Sequence, residues 1–204
     1  MPDLSAQFGQ IDIYLFDQLL RGRLRPPMRV LDAGCGSGRN LVYLLQSGYD
    51  VCAVDRDDAA VAGLRGLAAR LAPALPASNF RVEPIEQMTF PDAFAGAVLS
   101  NAVLHFARDD AQFEAMVQEM WRVLAPGGLF FARLASNIGM ADRMLPIAGR
   151  RHRLPDGSER YLVDEALLLD VTSRLHGTLL DPLKTTIVQD QRCMTTWVVR
   201  KHGA

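Results

Sequence analysis

Hydrophobic and polar positions along this chain follow two alternating rhythms. From about residue 28, short apolar runs alternate with longer stretches whose apolar residues recur at helical period. Residues 28–33 read as a first strand, 39–47 as a helix, 50–54 as a second strand, and 57–71 as a helix stopped by Pro73 and Pro76. Residues 79–83 form a third strand. The run 94–100 is apolar on both faces, as a central parallel strand must be, and leads into an amphipathic helix over 109–124. The turn Ala125-Pro126-Gly127-Gly128 then opens a fifth strand over 129–134. Strand and helix in alternation predict an α/β fold, a doubly wound parallel sheet with helices on both faces.

After the fifth strand the rhythm changes. The Pro155-Asp156-Gly157 turn between polar arms predicts a small hairpin or flap over 153–161, within a candidate substrate-side insertion over 136–162. Residues 163–175 read as the last helix. Residues 178–188 and 193–200 are β-rich and joined by a short polar turn, which predicts an antiparallel hairpin closing one sheet edge. At the other end, 11–20 reads as an amphipathic helix, and residues 1–27 as a helical lid or packing segment. Together the elements make one domain over 1–204.

Composition narrows the chemistry. With 204 residues, 49% of them hydrophobic, the chain can bury one sizeable core. Its 22 basic and 23 acidic residues balance to a net charge of −1, so no overall field favours nucleic acid or an anionic membrane surface. Lys184 and Lys201 are the two lysines and neither follows a glycine, which removes phosphate-loop nucleotide hydrolases. Cys35, Cys52 and Cys193 show no metal-ligand spacing, so a reducing compartment and no metal are expected. No apolar run approaches the 18 or more residues of a membrane-spanning helix, and the N-terminus lacks a basic-then-apolar leader. A cytoplasmic protein without membrane partners is the expectation.

The most informative stretch is Val30-Leu31-Asp32-Ala33-Gly34-Cys35-Gly36-Ser37-Gly38, a strand entering a three-glycine turn. Such glycines let the backbone turn tightly and a ligand lie against the main chain. The spacing is G-x-G-x-G, and Asp32 stands two residues before the first glycine, where a carboxylate suits a ligand amine better than a pyrophosphate. Asp55 ends the second strand at the separation where a carboxylate can take both ribose hydroxyls of a bound nucleoside. Capping the helix that follows is the alternative.

These residues resemble the class I S-adenosylmethionine-dependent methyltransferases. Leu31 to Gly38 is similar to the family's first motif, Val54-Asp55 to its ribose-binding acid, Glu86 to Asp92 to the segment before its fourth strand, and Leu124 to Gly128 to the turn before its fifth. Gly38 to Leu41 and Val199 to Lys201 are also similar to the tellurite-resistance methyltransferases. The resemblance implies a Rossmann-like seven-stranded sheet of order 3-2-1-4-5-7-6 with strand 7 antiparallel, and S-adenosyl-L-methionine as cofactor. Carried over by position, it gives Gly34, Gly36 and Gly38 the cofactor's methionine part, Asp32 its amino group and Asp55 the ribose. Arg56 packs beside the adenine, whose edge Ile85 and Glu86 read, and Asn101 lies beneath the transferable methyl. Pro84 stands where the family often has an aspartate.

Methyl transfer from a sulfonium needs chiefly alignment of two reactants, so a catalytic base is optional. His105 is the candidate base if the acceptor must lose a proton, and a buried wall histidine is the alternative. Tyr14 on the leading helix and Arg143 in the long connection are candidate substrate contacts. The chain lacks the Asn/Asp-Pro-Pro-aromatic run typical of base amino-methyltransferases, which favours a small-molecule acceptor over nucleic acid. A noncatalytic S-adenosylmethionine-binding protein and a nicotinamide-dependent oxidoreductase are the rival readings.

Overall fold

The computed structural model describes residues 3–203. Its first strand, β1 (Arg29–Ala33), is flanked by β2 (Asp50–Asp55) on one side and β4 (Ala95–Asn101) on the other, both parallel to it. β3 (Phe80–Val82) extends the sheet beyond β2, and β5 (Leu124–Ala135) extends it beyond β4. β11 (Arg192–Lys201) runs antiparallel along β5, and its outer edge carries β9 (Gly177–Leu179) and β10 (Lys184–Val188). The order β10-β11-β5-β4-β1-β2-β3 is the expected 3-2-1-4-5-7-6 arrangement.

One correction concerns the strand count, which is eight in this sheet because the expected sixth strand is broken in two. Asp181 and Pro182 make the break. Arg23 Nη1 donates to Asp181 Oδ2 at 2.6 Å, drawing that residue off the edge, and Pro182 has no N–H for the ladder.

Alternation along the strands divides the core into two layers. Leu31, Val54, Val98, Phe130 and Trp197 face α5 (Asp110–Val123) and α6 (Glu165–Arg174). Val30, Val51, Leu99, Phe131 and Val198 face α2 (Ile13–Leu20), α3 (Val42–Gln46) and α4 (Asp58–Leu71). Aspartates start the main helices: Asp12, Asp57, Asp109 and Asp164 each accept a backbone N–H from the first turn. No helix among the described residues is long and apolar enough to cross a membrane.

α3 opens at Val42, three residues later than its period predicts, because Asn40 is held outside the helix by accepting the Asp12 N–H at 2.9 Å. A short helix, α1 (Leu4–Phe8), precedes α2. The connection over 136–162 contains a three-stranded antiparallel sheet of β6 (Leu145–Ala148), β7 (Arg151–Arg153) and β8 (Glu159–Tyr161). Tyr161 anchors it, stacking on Phe113 and donating its hydroxyl to Asp110 Oδ1 at 2.9 Å.

Candidate active site

The parallel strands end along one edge, and their order reverses between β1 and β4, the place where open α/β sheets leave a ligand crevice. A cavity of about 450 Å³ lies there, within the size range of cofactor sites. The glycine loop forms its floor. Gly34 and Cys35 N–H groups both donate to Val54 O, at 2.9 and 3.1 Å, which folds the loop back onto β2. Gly34, Gly36 and Gly38 have φ of 85°, 49° and 75°, the left-handed region that L side chains rarely enter. A Cβ on Gly34 would lie 2.5 Å from Val103 Cγ2, whereas one on Gly36 would meet nothing and would project into open space.

Asp55 closes the loop. Its carboxylate accepts the Gly36 N–H at 2.8 Å and the Asp57 N–H at 3.0 Å. Two of its roughly four acceptor positions remain for a ligand. Asp32 sits behind the loop, 2% exposed, and burial pushes its carboxyl up to about 7 against the attraction of Arg39, with Asp55 adding repulsion. Asn101 lies on the wall, its Oδ1 accepting from Arg39 Nη2 at 2.9 Å and its buried Nδ2 left without a partner. Opposite, Glu86 Oε1 accepts from Gln112 Nε2 at 2.8 Å.

The structure thus brings Gly34, Gly36, Asp55, Arg56, Ile85, Glu86 and Asn101 to one cavity. Asp32 and Gly38 lie behind that lining, Gly38 with its Cα side against Leu64. His105 also lies outside it: its Nδ1 accepts the Ala135 N–H at 3.2 Å, and burial, with Arg160 nearby, lowers its pKa to about 4. Its ring packs edge-on against Phe106, behind the lining. Tyr14 is not in the cavity lining, and its hydroxyl lies 2.5 Å from Thr186 Oγ1. Arg143 is on the surface, paired with Asp190 at 2.7 Å.

Sequence reasoning missed Arg39, Asn40, Phe106, Gln112 and Met116, which also line the cavity. The i, i+4 spacing of Gln112 and Met116, beginning in the first turn of the helix after β4, was a usable signal. Phe106 was not findable this way, because nothing local marks an aromatic as a cavity rim. Among the described residues no group of three His, Cys, Asp or Glu side chains gathers as a metal site.

An edge crevice over a glycine turn, with an acid at the end of the second strand, defines a Rossmann-like domain built to hold a nucleoside cofactor. The family profile described as "Methyltransferase domain" matches residues 31–132, half of the chain, and the chain belongs to that family. It is 35% identical over 104 residues to the uncharacterized methyltransferase YodH of Bacillus subtilis, a match covering 51% of this chain and 42% of YodH. It is 29% identical over 134 residues to the malonyl-[acyl-carrier protein] O-methyltransferase of Serratia marcescens, covering 64% of this chain and 49% of that protein. These matches span less than half the length of either relative.

The fold is also that of the 1,6-didemethyltoxoflavin-N1-methyltransferase of Burkholderia thailandensis, solved with 1,6-didemethyltoxoflavin and S-adenosylhomocysteine bound. The TM-score is 0.72 at 22% identity, covering 98% of this chain and 81% of that one. At this identity the likeness is one of fold.

Proposed function

We propose that this chain binds S-adenosylmethionine in the β1/β4 crevice and transfers its methyl group to a small-molecule acceptor by in-line displacement. One observation carries the reading: the left-handed glycine loop, the Asp55 carboxylate and the unpartnered Asn101 amide converge on a single cavity. Family membership and the toxoflavin enzyme's bound S-adenosylhomocysteine support the same cofactor.

The residues present fit that cofactor. Gly34 and Gly36 leave the main chain bare for the methionine part, and Asp32 behind them offers a carboxylate to its ammonium. Asp55 has acceptor capacity for ribose hydroxyls. Arg56 and Ile85 flank the adenine, with Glu86 at its edge beside Pro84, so the adenine amino group meets a carboxylate without the family's aspartate. When bound, the cofactor supplies a methyl already activated on a sulfonium.

The chain's own task is alignment and exclusion of water, which can supply roughly 7–11 kcal/mol of a barrier. The lining side chains able to take a proton are mostly engaged. Burial holds the Cys35 thiol protonated, Glu86 is engaged by Gln112, and Asp55 by two backbone N–H groups. An acceptor atom that is nucleophilic without losing a proton to the protein suits such a lining. An anionic oxygen meets that need, and an O-methyltransferase stands among the relatives, alongside an N-methylating structural neighbour.

The test is a thermal-shift titration with S-adenosylhomocysteine, followed by methyl transfer from S-adenosylmethionine to an acceptor panel. Ligand at 100 times its Kd adds about 2.7 kcal/mol, a rise of roughly 5–10 °C for a domain of this size. A shift with NADH alone would establish an oxidoreductase, and adenosyl binding without turnover on any acceptor a noncatalytic binder.

A further inference from the structure

Four buried side-chain atoms among the described residues have no hydrogen-bond partner: Ser100 Oγ, Asn101 Nδ2, Arg133 Nε and Thr196 Oγ1. Three of them share one place. Asn101 of β4 pairs in register with Arg133 of β5, and Arg133 pairs with Thr196 of β11. Residues in direct register sit about 4.5–5.5 Å apart and project from the same face. The three therefore form a lateral row at the C-terminal edge of the sheet, on the face covered by α2. Ser100, one residue before Asn101, belongs to the opposite face.

Buried polar groups in folded proteins are nearly always satisfied, so three adjacent exceptions ask for a common partner. Their chemistry names it. An asparagine Nδ2 and an arginine Nε can only donate, and a threonine hydroxyl can donate. The guanidinium adds positive charge, and Lys184, in register beyond Thr196, adds a second cation at the row's end. The complementary ligand is an acceptor-rich anion. The row also starts in the right location, because Asn101 lines the cavity and Arg133 and Thr196 continue away from it, opposite the Asp55 and Glu86 end.

Residues 10–14 now cover the row. Arg133 Nη1 donates to Asp12 Oδ2 at 3.2 Å, and the Tyr14 ring lies 5.2 Å from the guanidinium carbon. The same segment is tied to the cavity wall, with Asp12 N donating to Asn40 Oδ1 at 2.9 Å and Arg39 Nη1 to Gln10 O at 3.4 Å. Asp12 is thus an internal carboxylate on the cation of the row. Of the remaining charges nearby, Arg39 is spent on Asn101 Oδ1, and Lys184 lies 3.6 Å from Asp17.

We propose that the Asn101–Arg133–Thr196 row is a subsite for a carboxylate-type oxyanion of the methyl acceptor, which replaces Asp12 on Arg133 when residues 10–14 lift. The inference rests on the methyltransferase reading of the adjoining cavity. It makes Arg133 a specificity-determining residue and Asp12 a built-in competitor that holds the row closed until an anionic acceptor arrives. It also agrees with a site whose task is alignment, since an anionic acceptor needs no base.

The test uses the full chain saturated with S-adenosylhomocysteine and titrated with benzoate, with benzamide as the neutral isostere. The readout is the ¹⁵N resonance of Arg133 Nε, assigned by its loss in Arg133→Lys. Benzoate is expected to move it saturably, while benzamide and chloride at matched ionic strength leave it in place. Arg133→Lys should weaken benzoate roughly tenfold by losing the planar donor fork, with S-adenosylhomocysteine affinity kept. Asp12→Asn retains an oxygen for the Tyr14 N–H and removes the competing charge, so it should tighten benzoate several-fold. A resonance unmoved by benzoate, or moved equally by benzamide or chloride, would overturn the subsite and leave water as the row's partner. Failure to bind S-adenosylhomocysteine would instead overturn the methyltransferase reading on which the subsite stands.

Discussion

The cavity rim and the connection over 136–162 handle charge in opposite ways. In the connection, Arg143 pairs with Asp190, Arg150 with Asp164, and Arg151 and Arg153 both with Glu159. Each of these four arginines has a carboxylate partner. In and around the cavity, Asp32 is buried without an ion-pair partner, Ala102 sits at φ 62°, and Asn101 Nδ2, Arg133 Nε and Thr196 Oγ1 lack partners. A region that folds for its own sake satisfies its polar groups, and one that waits for ligands leaves some of them open. An abundance of arginine is therefore a poor guide to substrate binding here.

The largest expected effect concerns Asp32. Burial raises its carboxyl from 3.8 to about 7, so the folded state resists ionisation that the unfolded chain accepts freely. The sign follows: this group costs nothing below about pH 3.8, and stability is lost as pH rises toward 7, by roughly 4 kcal/mol at most. Asp32→Asn should therefore be more stable than the parent at pH 8, the gap closing on acidification, while S-adenosylhomocysteine binding weakens. Urea unfolding across pH measures it. A gap independent of pH would show that the rim carries no stored charge cost, and the contrast with the connection would lose its strongest member.

His105 should act in the reverse sense. Its pKa falls from 6.5 to about 4, because burial excludes the imidazolium and Arg160 repels it. The folded state then binds a proton less readily than the unfolded one. Stability is full above about pH 6.5 and declines as pH falls toward 4, by about 3 kcal/mol in total. His105→Asn keeps an acceptor for the Ala135 N–H and should flatten this acid limb. If methyl transfer in that variant fell more than tenfold with unchanged cofactor affinity, the histidine would be a base after all.

Asp55→Ala comes next. It removes the acceptor for the Gly36 and Asp57 N–H groups together with the proposed ribose contact. Cofactor affinity should drop by about 1.5–3 kcal/mol, the range for a lost charged hydrogen bond. Calorimetry with S-adenosylhomocysteine reads the loss directly. Affinity equal to the parent's would confine Asp55 to holding the loop.

Much of the fold and of the crevice is legible in the sequence. Strand and helix order follow from hydrophobic period, and the glycine spacing with Asp32 and Asp55 locates the crevice because those positions need backbone freedom or acidity whatever surrounds them. What escaped depended on distant partners. The break between β9 and β10 is made by Arg23 reaching Asp181, and the late start of α3 by Asp12 holding Asn40. The Ala135 N–H that His105 Nδ1 accepts belongs to a strand 30 residues away, so no local pattern announces it. Arg133 read as one more residue of the fifth strand, since its orphaned Nε appears only when β4, β5 and β11 are laid side by side.

The smallest effect is the sharpest check on the contrast. Arg143 and Asp190 are 56% and 57% exposed as side chains, so water screens the pair and holding two flexible chains together costs entropy. Arg143→Ala should change stability by less than about 0.5 kcal/mol. If the proposed subsite takes the acceptor's charge at Arg133, kcat/KM for an anionic acceptor should also stay within about twofold of the parent. A tenfold rise in KM confined to anionic acceptors would instead move substrate recognition into the connection over 136–162. Paired surface arginines would then be a reserve that opens toward substrate, and the unsatisfied row at the rim would need another occupant.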